Sequence, residues 1–294
     1  LAKKAKNIKV QKCKRTDKFH LLPNKLLPAC STFALLPLSY VKHFRSNSVL
    51  QLTNLILAMT LDEVMLKLEK MGSEQSKKVL IKHGAHEPFY GVKVEDMKKE
   101  IVKKVKKDHT LSLQLYDTGN SDAMYLAGLI SEPQKMTKQQ LQKWVENAYW
   151  YMLSEYTVAW VTAESNFGWE LGLEWIDSEK EMIAAAGWNT LASLATLKPD
   201  NELDIEKFAG LLERCGKEIH ASKNRVRYTM NGFVITIGTR IPALTQRAKE
   251  IANNIGKVQV EMGGTACKVP FAPDYIKKVE DRGSIGKKKN RVVC

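Results

Sequence analysis

An all-α stack of antiparallel helix pairs wound into a superhelix is the fold that the sequence predicts, on three observations. Short apolar-periodic segments with tight breaks follow one another from residue 59 to residue 255. Almost nothing in that span alternates with the period of two that a half-buried strand requires. An aromatic-led piece also recurs, as Ala148-Tyr149-Trp150-Tyr151-Met152-Leu153, as Ala186-Gly187-Trp188-Asn189-Thr190-Leu191 and, more weakly, as Met230-Asn231-Gly232-Phe233-Val234-Ile235. The aromatic returns after 38 and then 45 residues, near the period of two-helix repeats. All six tryptophans (Trp144, Trp150, Trp160, Trp169, Trp175, Trp188) fall within residues 144–188. A side chain repeating once per unit projects from the same face of a stack, which predicts an aromatic row on one surface. The competing expectation for any single ring is burial in the core.

The elements follow in order. Thr60-Leu61-Asp62-Glu63 is a capping box, and Val64, Leu68 and Met71 space the apolar stripe of the first helix up to Gly72. Ser73 opens a second helix, closed near Gly84, with His83 and His86 in the turn. Pro88-Phe89-Tyr90-Gly91-Val92 reads as a loop. A helix over 94–107 turns Met97, Ile101, Val102 and Val105 inward, and Lys93, Lys98, Lys99, Lys103, Lys104, Lys106 and Lys107 mostly outward. Helices are expected at 109–117, 121–131 and 137–150, the last opened by Thr137 and Gln140, then at 151–165 and 167–177. Ser178 and Glu181 are expected to cap a helix over 178–197, whose Ala184-Ala185-Ala186-Gly187 run permits close contact and which Pro199-Asp200-Asn201 ends. Helices near 203–220, 222–238 and 242–255 follow, Pro242 suiting a first helical position. After Gly256 the signals are those of loops, with a short helix at 272–281 and a basic end, Gly286-Lys287-Lys288-Lys289-Asn290-Arg291.

Charge divides the chain. The net +14 concentrates at the ends: residues 1–58 hold 11 Lys+Arg against one acid, Asp17, and residues 274–294 hold seven against three. The body between balances to zero, so any nucleic-acid surface depends on sorting its charges onto one face. The domains expected are a basic, proline-containing extension at 1–58 outside the fold, a helical repeat domain at 59–265 and a C-terminal segment with a basic tail at 266–294. Five scattered cysteines without a CxxC pair argue for a reducing compartment. Cys267 and Cys294 are the one pair that could meet on a metal, and no histidine accompanies them.

No P-loop, GxGxxG, HExxH, GxSxG or zinc-finger spacing is present. What remains is aromatics with acids near them, and basic residues at helix starts: Lys223, Arg225 and Arg227 on one helix, Arg240 and Arg247 around the next. Arginines at helix amino ends suit phosphate oxygens, and both Arg225 and Arg227 are expected to touch phosphate.

At this point the chain resembles the DNA alkylation repair glycosylases built from HEAT-like repeats. The resemblance covers roughly residues 59–281 and rests on Tyr90-Gly91-Val92, the Lys143–Ser154 helix, the helix around Met182–Leu194 and the Asn231-Gly232-Phe233 helix. It implies a superhelical HEAT-like fold that binds double-stranded DNA, including alkylated DNA, in a basic concave groove and releases N3- or N7-alkylated purines. By position, the family's first tryptophan matches Trp150, its aspartate falls at Ser154, its arginine within Ala184–Ala186 and its second groove tryptophan at Phe233. An alkylated purine leaves with oxocarbenium character on the sugar, which a neighbouring carboxylate stabilises and a serine does not. Glu155, next along, points about 100° round an ideal helix from Ser154.

The candidate catalytic residues are therefore Trp150, Ser154 and Glu155. The candidate DNA-binding residues are Trp150, Trp188, Phe233, Lys223, Arg225, Arg227, Arg240 and Arg247. The reading is of a DNA-binding member of the family with excision altered or lost, and the alternative is a non-catalytic protein-interaction scaffold. No metal, small-molecule cofactor or membrane is implied. The resemblance implies a bacterial, cytoplasmic, nucleoid-associated monomer.

Overall fold

In the computed structural model the chain is described over residues 59–293; the extension at 1–58 and Cys294, with the expectations placed on them, lie outside the described residues. Side-chain caps start most of the early helices, and those at Thr60, Ser73 and Thr137 are the ones read from the sequence. Thr60 and Glu63 exchange side-chain and backbone hydrogen bonds at the head of α1 (Leu61–Met71). Ser73 caps α2 (Glu74–Lys82), Asp108 caps α4 (His109–Asp117) and Asn120 caps α5 (Ser121–Ile130). Between α2 and α4 lies α3, over 94–105, whose middle turn Lys98–Val102 is widened to a π turn. Thr137 and Gln140 form a second capping box on α6 (Lys138–Asn147). A second π turn, Met152–Val158, opens α7, which continues as Ala159–Glu164. The series closes with α8 (Gly168–Ile176), α9 (Glu181–Leu197), α10 (Ile205–Glu218), α11 (Asn224–Arg240), α12 (Thr245–Ile255) and α13 (Ala272–Asp281).

Two boundaries depart from expectation. The helix expected over 137–150 stops at Asn147, because Ala148 takes φ −77° and ψ 82°. The break turns the Trp150 indole back to donate to the His83 carbonyl at 2.8 Å. Ser178 and Glu181 do not form a capping box; Lys180 is the N-cap, and Ser178 Oγ accepts from the Lys180 amide within the preceding turn.

Pairs α4/α5, α6/α7, α8/α9, α10/α11 and α12/α13 stack into a two-layer all-α solenoid of HEAT-like repeats. Its inner layer is the side-by-side series α5, α7, α9, α11, α13. The layers explain the composition of each helix. Outer helices such as α10 bury one stripe, Phe208, Leu211, Leu212 and Cys215. Inner helices have neighbours on nearly every side, and all ten residues of α5 are buried. Two contiguous cores result, one around Leu115, Trp144, Trp160 and Trp175, the other around Trp188, Phe208, Phe233 and Ile276.

The small-residue run on α9 does what its composition suggests. A Cβ on Gly187 would lie 2.7 Å from the Ile176 amide nitrogen and 3.0 Å from the Gly172 carbonyl, both backbone atoms of α8. Gly187→Ala is expected to force α8 and α9 apart and to cost about 1–3 kcal/mol in chemical denaturation. An unchanged denaturation midpoint would show that the pair relaxes freely.

The basic C-terminal segment is not a loose tail but a strap. Its Gly286 amide donates to the Thr239 carbonyl near the end of α11, and its Lys289 amide donates to the Thr196 carbonyl near the end of α9, each at 2.9 Å. The Val292 amide reaches Glu164 at the end of α7 at 3.3 Å, and Val292 and Val293 pack on the first core. Last-turn carbonyls have no partner within their own helix, and the strap supplies one. No described helix is long and apolar enough to cross a membrane.

Candidate nucleic-acid interface

The aromatic row expected on one surface is instead core. Trp144, Trp150, Trp160, Trp175 and Trp188 expose between 1% and 6% of their area, and Phe233 none. Trp188 and Phe233 meet edge to face at 5.1 Å, with Phe208 stacked behind Phe233. A side chain that repeats once per helix pair here faces the neighbouring helices of the stack. Trp150, Trp188 and Phe233 therefore offer no face for a base to stack on. Ser154 is fully buried, its hydroxyl 3.6 Å from the Met182 sulfur.

Arg225 and Glu155, expected to serve different roles, are one unit. Arg225 Nε and an Nη atom donate to the two Glu155 carboxylate oxygens at 2.6 and 2.5 Å, in a fork that matches the carboxylate plane. The Glu155 side chain is fully buried and that of Arg225 is 9% exposed. The guanidinium lies between two tyrosine rings, 4.2 Å from the Tyr151 centroid and 4.5 Å from the Tyr228 centroid. Tyr151 precedes Glu155 by one helical turn and Tyr228 follows Arg225 by three residues, so each helix presents an aromatic beside its own charge. The Arg225 amide donates to Glu181 at 2.6 Å, and Asn189 Nδ2 donates to the Glu155 carbonyl at 2.8 Å. Both charges are spent inside the protein, so Arg225 is not available to phosphate. Glu155 sits inside the π turn, where the 100° step of an ideal helix from Ser154 does not apply; such turns recur at functional sites.

A segment that the sequence reading left as loop covers this pair. Residues 257–262 alternate outward Lys257, Gln259 and Glu261 with inward Val258, Val260 and Met262, an alternation visible in the sequence. Asn224 on α11 grips its backbone, donating to the Glu261 carbonyl at 3.0 Å and accepting from the Glu261 amide at 2.7 Å. Asn231 donates to the Pro270 carbonyl at 2.9 Å. The turn at Gly263 (φ 65°) comes so close to α2 that a Cβ there would lie 2.8 Å from the Lys82 carbonyl oxygen. Met262 and Gly263 then wall a cleft of about 170 Å³ with His83, Tyr151 and Arg225. That is below the roughly 300–1,000 Å³ of ordinary ligand pockets. A larger cleft, about 750 Å³, lies at the opposite ends of α7 and α9, among Glu164, Trp169, Leu197, Lys198, Asp204 and Asn290, remote from Glu155.

The remaining cations sort by layer. Arg247 on α12 pairs with Glu213 on α10 at 2.8 Å, and both helices are outer, which removes Arg247 from the inner face. Arg240 ends α11 and donates to the Lys287 carbonyl of the strap. Lys223 is exposed at the head of α11 and donates to the Glu179 carbonyl. Arg227 donates to Asn224 Oδ1 at 3.3 Å, and its buried Nε has no partner among the described residues. Between these edges the partly open positions of the three central inner helices are Met152 and Tyr156 on α7, Asn189 and Ser193 on α9, and Tyr228, Gly232 and Thr236 on α11. The stripe on these three helices holds no carboxylate.

Burial pushes the Glu155 carboxyl up to about 7, against the two Arg225 hydrogen bonds that favour its charged form. The folded chain therefore binds a proton between about pH 4.5 and 7 that the unfolded chain has released. Glu155 is expected to make stability fall as pH rises through that window, and its contribution to the slope should be lost in Glu155→Gln. Denaturation midpoints with the same pH slope in Glu155→Gln as in the unsubstituted protein would contradict this.

Comparison with known proteins converges on one group. The profile of a family described as DNA alkylation repair enzyme matches residues 64–257. Uncharacterized proteins of Listeria innocua serovar 6a and Listeria monocytogenes serovar 1/2a are each 32% identical over 228 residues, covering 76% of this chain and 98% of the relative. A solved structure, of a protein described as from a new family related to the HEAT-like repeat DNA glycosylases with affinity for branched DNA structures, superposes with a TM-score of 0.74. It is 38% identical and covers 80% of this chain and 100% of that one.

Proposed function

The chain belongs to the DNA alkylation repair enzyme family, and from that premise we propose that it binds branched DNA along its inner face and excises no alkylated base. The observation that carries this reading is the state of Glu155. The position matched to the family's aspartate is Ser154, and the carboxylate beside it is fully buried and forked onto Arg225. Whether neutralised by the guanidinium or by a proton, it offers no net charge to an oxocarbenium-like sugar. DNA binding is supported by the carboxylate-free stripe between Tyr156 and Thr236, by Lys223 and Arg227 at its edge, and by the branched-DNA affinity described for the 38% identical relative. The chain works in this reading as a monomer, without metal or organic cofactor.

A gel-shift salt titration with a plain duplex, an N7-methylated duplex and a four-way junction tests it, followed by heating to reveal abasic sites. The junction is expected to bind more tightly than either duplex, with a negative slope of log K against log salt, and the methylated duplex should stay intact. Release of N7-methylguanine well above its spontaneous loss would overturn the non-excising part. Absence of any DNA complex at low salt would overturn the whole and favour the scaffold alternative.

A further inference from the structure

The strap over residues 284–293 fixes a row of cations along the opposite edge of the inner face from Lys223 and Arg227. Its backbone is tied to Thr239 on α11, Thr196 on α9 and Glu164 on α7, so it crosses the carboxyl ends of three adjacent inner helices. Lys288 is turned inward as an anchor, with its ammonium 2.7 Å from Asp200 and 2.9 Å from the Ala195 carbonyl. Lys289 points to solvent, and the Arg291 side chain is 52% exposed at 4.0 Å from Glu164. The Lys287 ammonium donates to the Ser284 hydroxyl at 3.2 Å and has no carboxylate partner among the described residues. Lys107, in the connection after α3, comes to the same edge, donating to the Leu129 and Ser131 carbonyls at 3.1 and 2.6 Å. Burial, and then the Arg291 charge, lower the Lys107 ammonium from its ordinary value. These two cations repel one another, and an anion placed between them would relieve that repulsion.

The acids of this edge are already engaged: Asp200 with Lys288, Glu202 with Lys198, Glu132 with Lys135 and Glu164 with the strap itself. The 17 residues of α11 separate the two basic edges by roughly 25 Å. The stripe between them is uncharged.

We infer that the strap is a second DNA-backbone contact, in which Lys287, Lys289 and Arg291 hold the phosphates of a second helical arm while the Lys223–Arg227 edge holds the first. This rests on the branched-DNA reading above and gives it a cause: a linear duplex engages one edge, a junction both. A row held by backbone hydrogen bonds is also ordered before DNA arrives, so binding does not have to order it.

The test compares the full chain with its Lys287→Gln/Lys289→Gln/Arg291→Gln variant on a linear duplex and on a four-way junction of the same arm sequence. Lys288 is kept because it anchors the strap, and a melting temperature within two degrees or so of the parent confirms that the strap is in place. Junction affinity at about 0.1 M salt should drop on the order of tenfold and its salt slope should flatten by roughly two to three units, while duplex affinity changes less than about twofold. Unchanged junction binding, or equal losses on both substrates, would overturn the second-arm assignment and leave the branched-DNA reading standing. Failure of the parent protein to bind either DNA would remove that reading itself. If the triple variant melts early, Lys289→Gln alone carries the same test, with a slope change of about one unit on the junction only.

Discussion

Arg225→Ala is expected to cost about 3–5 kcal/mol of folding stability and to leave the salt slope of DNA binding where it was. The first half follows from what the substitution strands. Glu155 would remain fully buried without its forked partner, and Tyr151 and Tyr228 would face a void where the guanidinium stacked. In a chain of this size the loss corresponds to a fall of about 10 °C in melting temperature. The second half follows because a guanidinium already forked onto a carboxylate contributes no free charge to phosphate. Replacing both partners with apolar residues of similar volume, as in Glu155→Met/Arg225→Leu, should be milder than either single change, since no uncompensated charge remains. Tens of millimolar guanidinium should raise the melting temperature of Arg225→Ala and not that of the parent, by refilling the slot between the rings. A slope flattened by about one unit with stability intact would return Arg225 to the interface.

What the sequence made legible here is what short-range chemistry decides. Thr60 with Glu63 and Thr137 with Gln140 satisfy orphan amides within one turn, so the residues alone suffice to place those helix starts. The order of short helices and the return of an aromatic once per pair read correctly as a solenoid. The direction of the aromatics did not, because periodicity says that Trp150, Trp188 and Phe233 share a face but not what covers it. In a two-layer stack the inner helices are enclosed on most sides, and Trp150, Trp188 and Phe233 fall on the enclosed sides while Tyr156 and Tyr228 do not.

The ion pair was hidden for another reason. Glu155 and Arg225 stand 70 residues apart, and the sequence reading assigns them separate roles, one catalytic and one in phosphate binding. The signal that could have joined them is the aromatic beside each, Tyr151 one turn before Glu155 and Tyr228 three residues after Arg225. The matched carboxylate position also misled, since a π turn lies between Trp150 and the helix that follows it. In the same way, the basic end read as tail because its anchoring partners, Thr196 and Thr239, are apolar-context threonines whose carbonyls carry no sequence signature.

Trp150 joins these threads, and Trp150→Ala is expected to cost about 3–5 kcal/mol of stability through lost burial and the cavity left behind. The ring is 6% exposed and sits within the first core, so stacking on a base is not its work. Trp150→Phe tests the polar end. It keeps most of the apolar volume but removes the donor to the partly buried His83 carbonyl, and loss of that hydrogen bond costs about 0.5–1.5 kcal/mol. His83 in turn holds the Tyr151 hydroxyl at 3.1 Å through Nδ1, and the Tyr151 ring forms one side of the Arg225 slot. Loss of the indole donor should therefore loosen the His83–Tyr151 contact and, through it, the slot that holds Arg225. A double-mutant cycle between Trp150→Phe and Arg225→Ala should show coupling of about 0.5–3 kcal/mol, whereas independent sites would add within about 0.5 kcal/mol. Melting and junction binding measured on the same Trp150→Ala protein decide its role. Melting within two degrees or so of the parent, with DNA affinity reduced, would place Trp150 on the DNA and the burial argument would fail. A large drop in melting, with the salt slope of the folded fraction preserved, places the residue in the wall that holds Tyr151 against Arg225.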